Sequence, residues 1–149
     1  MAESRSNASH SEWRPRHPDP ALLNPNAPGL RAHRHPPNRL HTWVFAQQTV
    51  WVDYWGNELT LTQMAADYLV NVLRFVRGDG DRIRDFVVLD LVIEQLLRVA
   101  TGTPSDPDAV RPSSAYETDA ATWLEQTPLV RTLTELVGNT DTADGGAQP

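Results

Sequence analysis

Cysteine is absent from the 149 residues, and so is lysine. Without cysteine the chain has no disulfide framework, no thiolate metal site and no cysteine nucleophile, and a reducing compartment is its expected setting. All 13 basic side chains are arginine. Codon usage in a GC-rich genome accounts for that bias, so arginine without lysine does not by itself mark a binder of polyanions. No stretch approaches the roughly 18 apolar residues of a helical membrane span. The opening "MAESRSNASHSEWRPRHPDP" lacks the apolar core of a secretory signal. The expectation is a cytoplasmic chain with no membrane partner, in which the sequon Asn7-Ala8-Ser9 is a chance match. Walker A, GxGxxG, GxSxG and HExxH patterns are all missing, and no cofactor is expected.

The charges and prolines that are present are unevenly spread. Residues 1–41 carry most of the prolines, all the histidines and twice as many arginines as acids, whereas residues 42–100 contain no proline and residues 101–149 are strongly acidic. The reading is a Pro/Arg/His-rich arm over 1–41, one folded domain over 42–138 and a frayed tail over 139–149. Such an arm buries too little apolar surface to offset its ordering entropy, and its prolines interrupt helices and sheet ladders. It is expected to be disordered.

Within the central region the hydrophobic period changes. "HTWVF", "VWVDYW" and "ELTL" are β-branched and aromatic or alternating runs, which predicts a small antiparallel meander or hairpin over 42–61. Gly56 and Asn57 accept the positive φ of a tight turn between the last two. From Thr62 the pattern becomes helical. Met64, Tyr68, Leu69, Val72, Leu73 and Val76 share one face of a helix over 62–77, stopped by Gly78.

Asp81 then caps a second helix, over 82–100, which ends at Gly102. Phe86, Leu89, Ile93, Leu96 and Leu97 form its apolar stripe, and Val88, Leu91, Val92 and Val99 carry apolarity around most of its circumference. Asp90, Glu94 and Arg98 supply the polar strip. A helix of this kind is either the central element of a core or half of an oligomer interface, and the core is the expected role. Further on, Ser114 with Glu117 fits a capping box for a helix over 114–126. Thr127-Pro128 restarts a helix over 128–137, with Gly138 as its stop. The fold class predicted is α+β, a small antiparallel sheet with about four helices.

One stretch resembles a known module. The order Trp51, Asp53, Gly56, Asn57, then Leu59, Leu61, Met64, then Tyr68, Leu69, Asn71, Leu73, Arg74 and Phe75 is similar to a hairpin-then-helix module in small proteins of actinobacteria and their phages. Those proteins often carry histidine where Tyr68 stands, so no proton-transfer role is carried over, and the resemblance implies no defined activity.

Several clusters carry chemistry in principle. His33, His35 and His41 are spaced to attract a metal, but a proline-rich arm does not preorganise ligands, and they are read as solvated. "DGDRIRD" lacks the regular ligand spacing and closing glutamate of a calcium loop, and Arg77-Gly78-Asp79 is read as a helix end. Asp53, Glu58 and Tyr68 would be an acid–base set only if burial shifted them. No catalytic, cofactor-binding or metal-binding residue is assigned. The expected function is therefore non-enzymatic: an interaction or accessory protein that binds a protein partner or self-associates through Trp43, Trp51, Trp55, Leu91 and Val92. The rival is nucleic-acid association through Trp13, Arg14, Arg16, Arg31, Arg34 and Arg39 of the arm.

Overall fold

The computed structural model describes residues 19–104, 107–108 and 111–145. The architecture is α+β, with a three-stranded antiparallel sheet and five helices among the described residues. The described residues fall into two compact units, 19–41 with Val50–Met64, and Thr42–Thr49 with the described residues of 65–145.

The first unit is built on the sheet. It contains α1 (Pro20–Leu23), β1 (Leu30–Arg31), β2 (Val50–Val52), β3 (Glu58–Thr60) and a 3-10 turn at Leu61–Gln63. β3 lies in the middle, with Leu30 opposite Leu59 on one side and Trp51 opposite Leu59 on the other. The hairpin of β2 and β3 agrees with the sequence pattern. Its third strand does not, because β1 comes from the arm expected to be disordered. Residues 19–41 are ordered: their backbone pairs with the hairpin, through His35 N–H to the Gly56 carbonyl at 3.0 Å and Asn38 N–H to that of Tyr54 at 2.7 Å. Composition underrated this segment because backbone N–H and C=O groups pair regardless of side chain. Gly56 has φ +82°, and a Cβ there would stand 2.0 Å from the His35 carbonyl oxygen, so only glycine admits this strap.

The "HTWVF" run is the second departure. Thr42–Ala46 is a 3-10 helix and belongs to the second unit. A strand would turn the neighbours Val44 and Phe45 to opposite faces. Both are buried, and a tight helical turn accommodates that.

The second unit is helical, with α2 (Ala66–Gly78), α3 (Gly80–Ala100), a 3-10 turn at Pro112–Tyr116, α4 (Ala120–Gln126) and α5 (Pro128–Gly145). Its core joins Leu69, Val72, Leu73 and Val76 of α2 to Leu129, Val130 and Leu133 of α5, with Val44, Phe45, Ile83 and Leu124 also buried. α2 starts at Ala66 instead of Thr62, because Leu61–Gln63 closes its own 3-10 turn first. The Ser114–Glu117 box does not form. The Ser114 hydroxyl donates to the Arg111 carbonyl at 2.7 Å, and Asp119 caps α4 by accepting from the Thr122 N–H at 3.3 Å. Thr127-Pro128 does restart the chain, its hydroxyl accepting from the Val130 N–H at 3.4 Å. Gly138 does not stop α5, which continues to Gly145 while Thr140 and Thr142 donate back to carbonyls one turn earlier. No helix among the described residues is long and apolar enough to cross a membrane.

Candidate interaction surface

The sequence makes α3 a good helix throughout. It has no internal glycine or proline, Arg98 meets Glu94 at 3.1 Å one turn away, and Gly102, at φ +71°, ends it. Its N-terminal half is seated in the second unit. Ile83 is buried and Arg84 is half-buried, its guanidinium stacked 4.6 Å from the Tyr116 ring centroid and donating to the Thr118 carbonyl at 3.1 Å. The Tyr116 hydroxyl donates to Asp85 at 2.8 Å, which raises its pKa, and the Thr42 hydroxyl donates to Asp90. These contacts fix the orientation of the helix.

From Val92 onward the surroundings change. Val92, Ile93, Leu96, Leu97 and Val99 are all exposed, with Leu96 at 63%, Leu97 at 61% and Val99 at 80% of their full surface. Phe86 and Leu89 continue the exposed strip toward the N-terminus. The core role expected for this helix is therefore corrected: Ile83 is its buried residue, and the stripe that the sequence marks as core faces outward. The Thr42–Ala46 turn, α4 and the Pro112–Tyr116 turn pack against the opposite side. Contiguous apolar surface of this kind marks a contact site far more often than scattered exposed leucines do.

The aromatic and aliphatic residues expected at an interface fall on different ground. Val92 is on the exposed strip and Leu91 is half-buried beside it. Trp43 is exposed on the Thr42–Ala46 turn. Trp51 is a correction: at 3% exposure it is a core residue of the first unit and has no surface to offer. Trp55 is half-buried in the hairpin loop, in edge contact with Tyr54 at 5.8 Å. Leu96, Leu97 and Val99, which sequence reasoning did not assign to an interface, are the most exposed of the group. Their signal was the apolar circumference of the helix.

Of the arginines proposed for nucleic acid, Arg31 and Arg34 stand 3.7 and 3.5 Å from the Glu58 carboxylate, which also has His35 at 3.6 Å. They are side chains of an ordered strap, and Glu58 offsets their charge. Arg39 is exposed. Trp13, Arg14 and Arg16 lie outside the described residues.

The first unit also holds a polar cluster that the sequence shows only as a turn. Asn57 is fully buried and its side-chain amide donates to Asp53 at 2.9 Å and to Asp19, while its side-chain oxygen accepts from the His33 N–H at 2.9 Å. Asp53 accepts further from the N–H groups of Trp55 and Asn57, both at 2.9 Å. Burial raises the Asp53 pKa, the bonds from Asn57 and Trp55 oppose the rise, and the nearby Asp19 charge adds to it. Asp53 has no exposed area. Tyr68 belongs to the other unit.

The histidines of this segment are held by the strap. His41 is buried, its ring N–H donates to the Pro36 carbonyl at 2.9 Å, and its ring lies 5.4 Å from that of His35. Burial is the main reason that its pKa is lowered. Among the described residues no three His, Asp or Glu side chains converge as metal ligands would.

No family model matches the chain, and no curated protein or solved structure matches it either.

Proposed function

We propose that the protein is a non-enzymatic interaction protein and that α3 is its working surface, taking a partner helix with an apolar strip of its own. The observation that carries the reading is the run from Val92 to Val99, an ordered helical segment whose valines, isoleucine and leucines are exposed together. Full burial of an exposed side chain of this type gains about 1.5–3 kcal/mol, and Leu96, Leu97 and Val99 have most of that still to gain, so a partner has a driving force available on this segment. Two helices packed side by side satisfy this without burying unpaired backbone, since each helix already bonds its own N–H and C=O groups. Asp53 supports the non-enzymatic side of the reading. Its oxygens are engaged by Asn57 and Trp55, and it has no surface on which to meet a substrate.

The test is a comparison of Leu96→Asp and Leu97→Asp with the parent chain, by thermal melting and by fluorescence of a dye that binds apolar surface. At dilution low enough that α3 is uncovered, both variants are expected to melt like the parent while the dye signal falls. A loss of cooperative unfolding in either would show that the strip is core, and the reading would be abandoned.

A further inference from the structure

We infer that the helix α3 takes is α3 of a second copy of this chain, packed antiparallel. The inference rests on the reading above and names its partner. The first observation is the spacing of the exposed strip. Phe86, Leu89, Ile93, Leu96 and Ala100 recur at alternating steps of three and four, the seam along which two helices interlock side chains. A strip of this period is complementary to itself, and one patch meeting its own copy is the commonest route to a symmetric dimer.

The charges beside the seam decide the direction. In a parallel pair, the residue just before one seam position meets the residue five places later on the other helix, so Asp85 would face Asp90 of the second copy on both flanks. These carboxylates cannot swing clear, because Tyr116 holds Asp85 and Thr42 holds Asp90. An antiparallel pair centred between Glu94 and Gln95 removes the clash. Ile93 then meets Leu96 of the second copy, Leu89 meets Ala100, and the flanking Val92 meets Val99. That register uses the exposed C-terminal half of the helix. The seated N-terminal halves, with their packed turns, then lie at opposite ends of the pair. In a parallel pair they would crowd together at one end. The helix dipoles also oppose favourably in the antiparallel arrangement.

The absence of cysteine permits a clean test. In the full chain, the parent is expected to sediment as a dimer at high micromolar concentration, and Leu96→Asp as a folded monomer, with dimerisation weakened by about a hundredfold or more because two carboxylates would be buried in the seam. Val99→Asp, at the most exposed position, serves as the second variant should the first perturb folding. For direction, Leu89→Cys and Ala100→Cys chains are oxidised separately and mixed. The antiparallel pair links the mixture, whereas Leu89→Cys alone stays unlinked because its two copies lie roughly 16 Å apart along the axis, beyond the span of about 7 Å that a disulfide tolerates. Linking of Leu89→Cys alone, or a dimer unaffected by both aspartate variants, overturns the inference. A parent that is monomeric at every concentration also overturns it. If that monomer still binds the dye and Leu96→Asp does not, α3 remains an interaction surface for another protein. If Leu96→Asp and Val99→Asp both unfold, the reading of α3 as a surface fails as well.

Discussion

The two units are held together by different physics. In the sheet unit the strands are two or three residues long and the buried centre sets a polar cluster beside Trp51, Val52 and Leu61: Asn57 bridges Asp19 and Asp53, and His41 is bonded to Pro36. In the helical unit the buried residues are mainly aliphatic, drawn from α2, α4 and α5 with Val44, Phe45 and Ile83. Short strands bury little apolar area, so the sheet unit depends on satisfied hydrogen bonds, each of which is costly to break from one side. The helical unit relies on packing, which is non-directional, and it leaves one helix partly bare. Directional bonds fix where a strap lies. Apolar area fixes only that something covers it.

The largest effect should come from cutting the polar centre. Asn57→Ala removes the amide shared by two buried carboxylates and the acceptor for the His33 N–H, and is expected to cost about 3–5 kcal/mol. Urea denaturation followed by tryptophan fluorescence measures it; a cost below about 1 kcal/mol would mean that the cluster is not what holds the sheet unit. Removing residues 1–40 should act in the same direction, because it takes away Asp19 and β1. An arm that contributed nothing would leave the melting curve unchanged.

Next in size is Leu133→Ala in the helical unit, where a cavity between α2 and α5 should cost about 2–5 kcal/mol. Circular dichroism at 222 nm is the fitting readout. If this variant costs far less than Asn57→Ala, the helical core is loosely packed and the contrast between the units is sharper still.

The dependence on pH should separate the units more gently. His41 is held neutral by burial, with its folded pKa below the ordinary 6.5, so its contribution is present above pH 6.5 and is lost as pH falls from there toward the folded value. Asp53 has the opposite sign. Its folded pKa lies above the ordinary 3.8, so the stability it gains on protonation is complete below 3.8 and disappears as pH rises through the folded value. On acidification His41 should therefore weaken the sheet unit while protonation of Asp53 acts in the opposite direction. His41→Asn should remove that weakening, and a stability profile that declines smoothly to low pH would contradict the Asp53 sign.

The smallest effect belongs to the bare helix. Val99→Asp should change stability by no more than about 0.5 kcal/mol at concentrations where the chain is dilute. A larger loss would show that this end of α3 is covered within its own unit.

Much of the helical unit could be read from local pattern. The buried face of α2, the Gly102 end of α3 and the Thr127-Pro128 restart all follow from spacing and capping, which act over a few residues, whereas Gly78 is itself the last residue of α2 and Asp79 caps it. The interface residues were legible less evenly. Val92 lies on the exposed strip, but Trp51 is core and Leu91 only half-exposed, because aromatic and aliphatic types serve cores and contacts equally well. Asp19 was beyond reach, since nothing local ties it to an asparagine 38 positions away.

What the sequence determined by itself was much of what neighbours along the chain set: the hairpin, the presence of the long helices and the apolar circumference of α3, though not the Thr62 start, the Ser114–Glu117 box or the Gly138 stop. Tertiary structure alone decided that "HTWVF" coils instead of extending, that the proline-rich strap lies along the hairpin, and which side of α3 is covered. Periodicity is a property of one segment. Burial is a competition among segments for a limited interior, and there the places were taken by α2, α4 and α5, which left the C-terminal half of α3 outside.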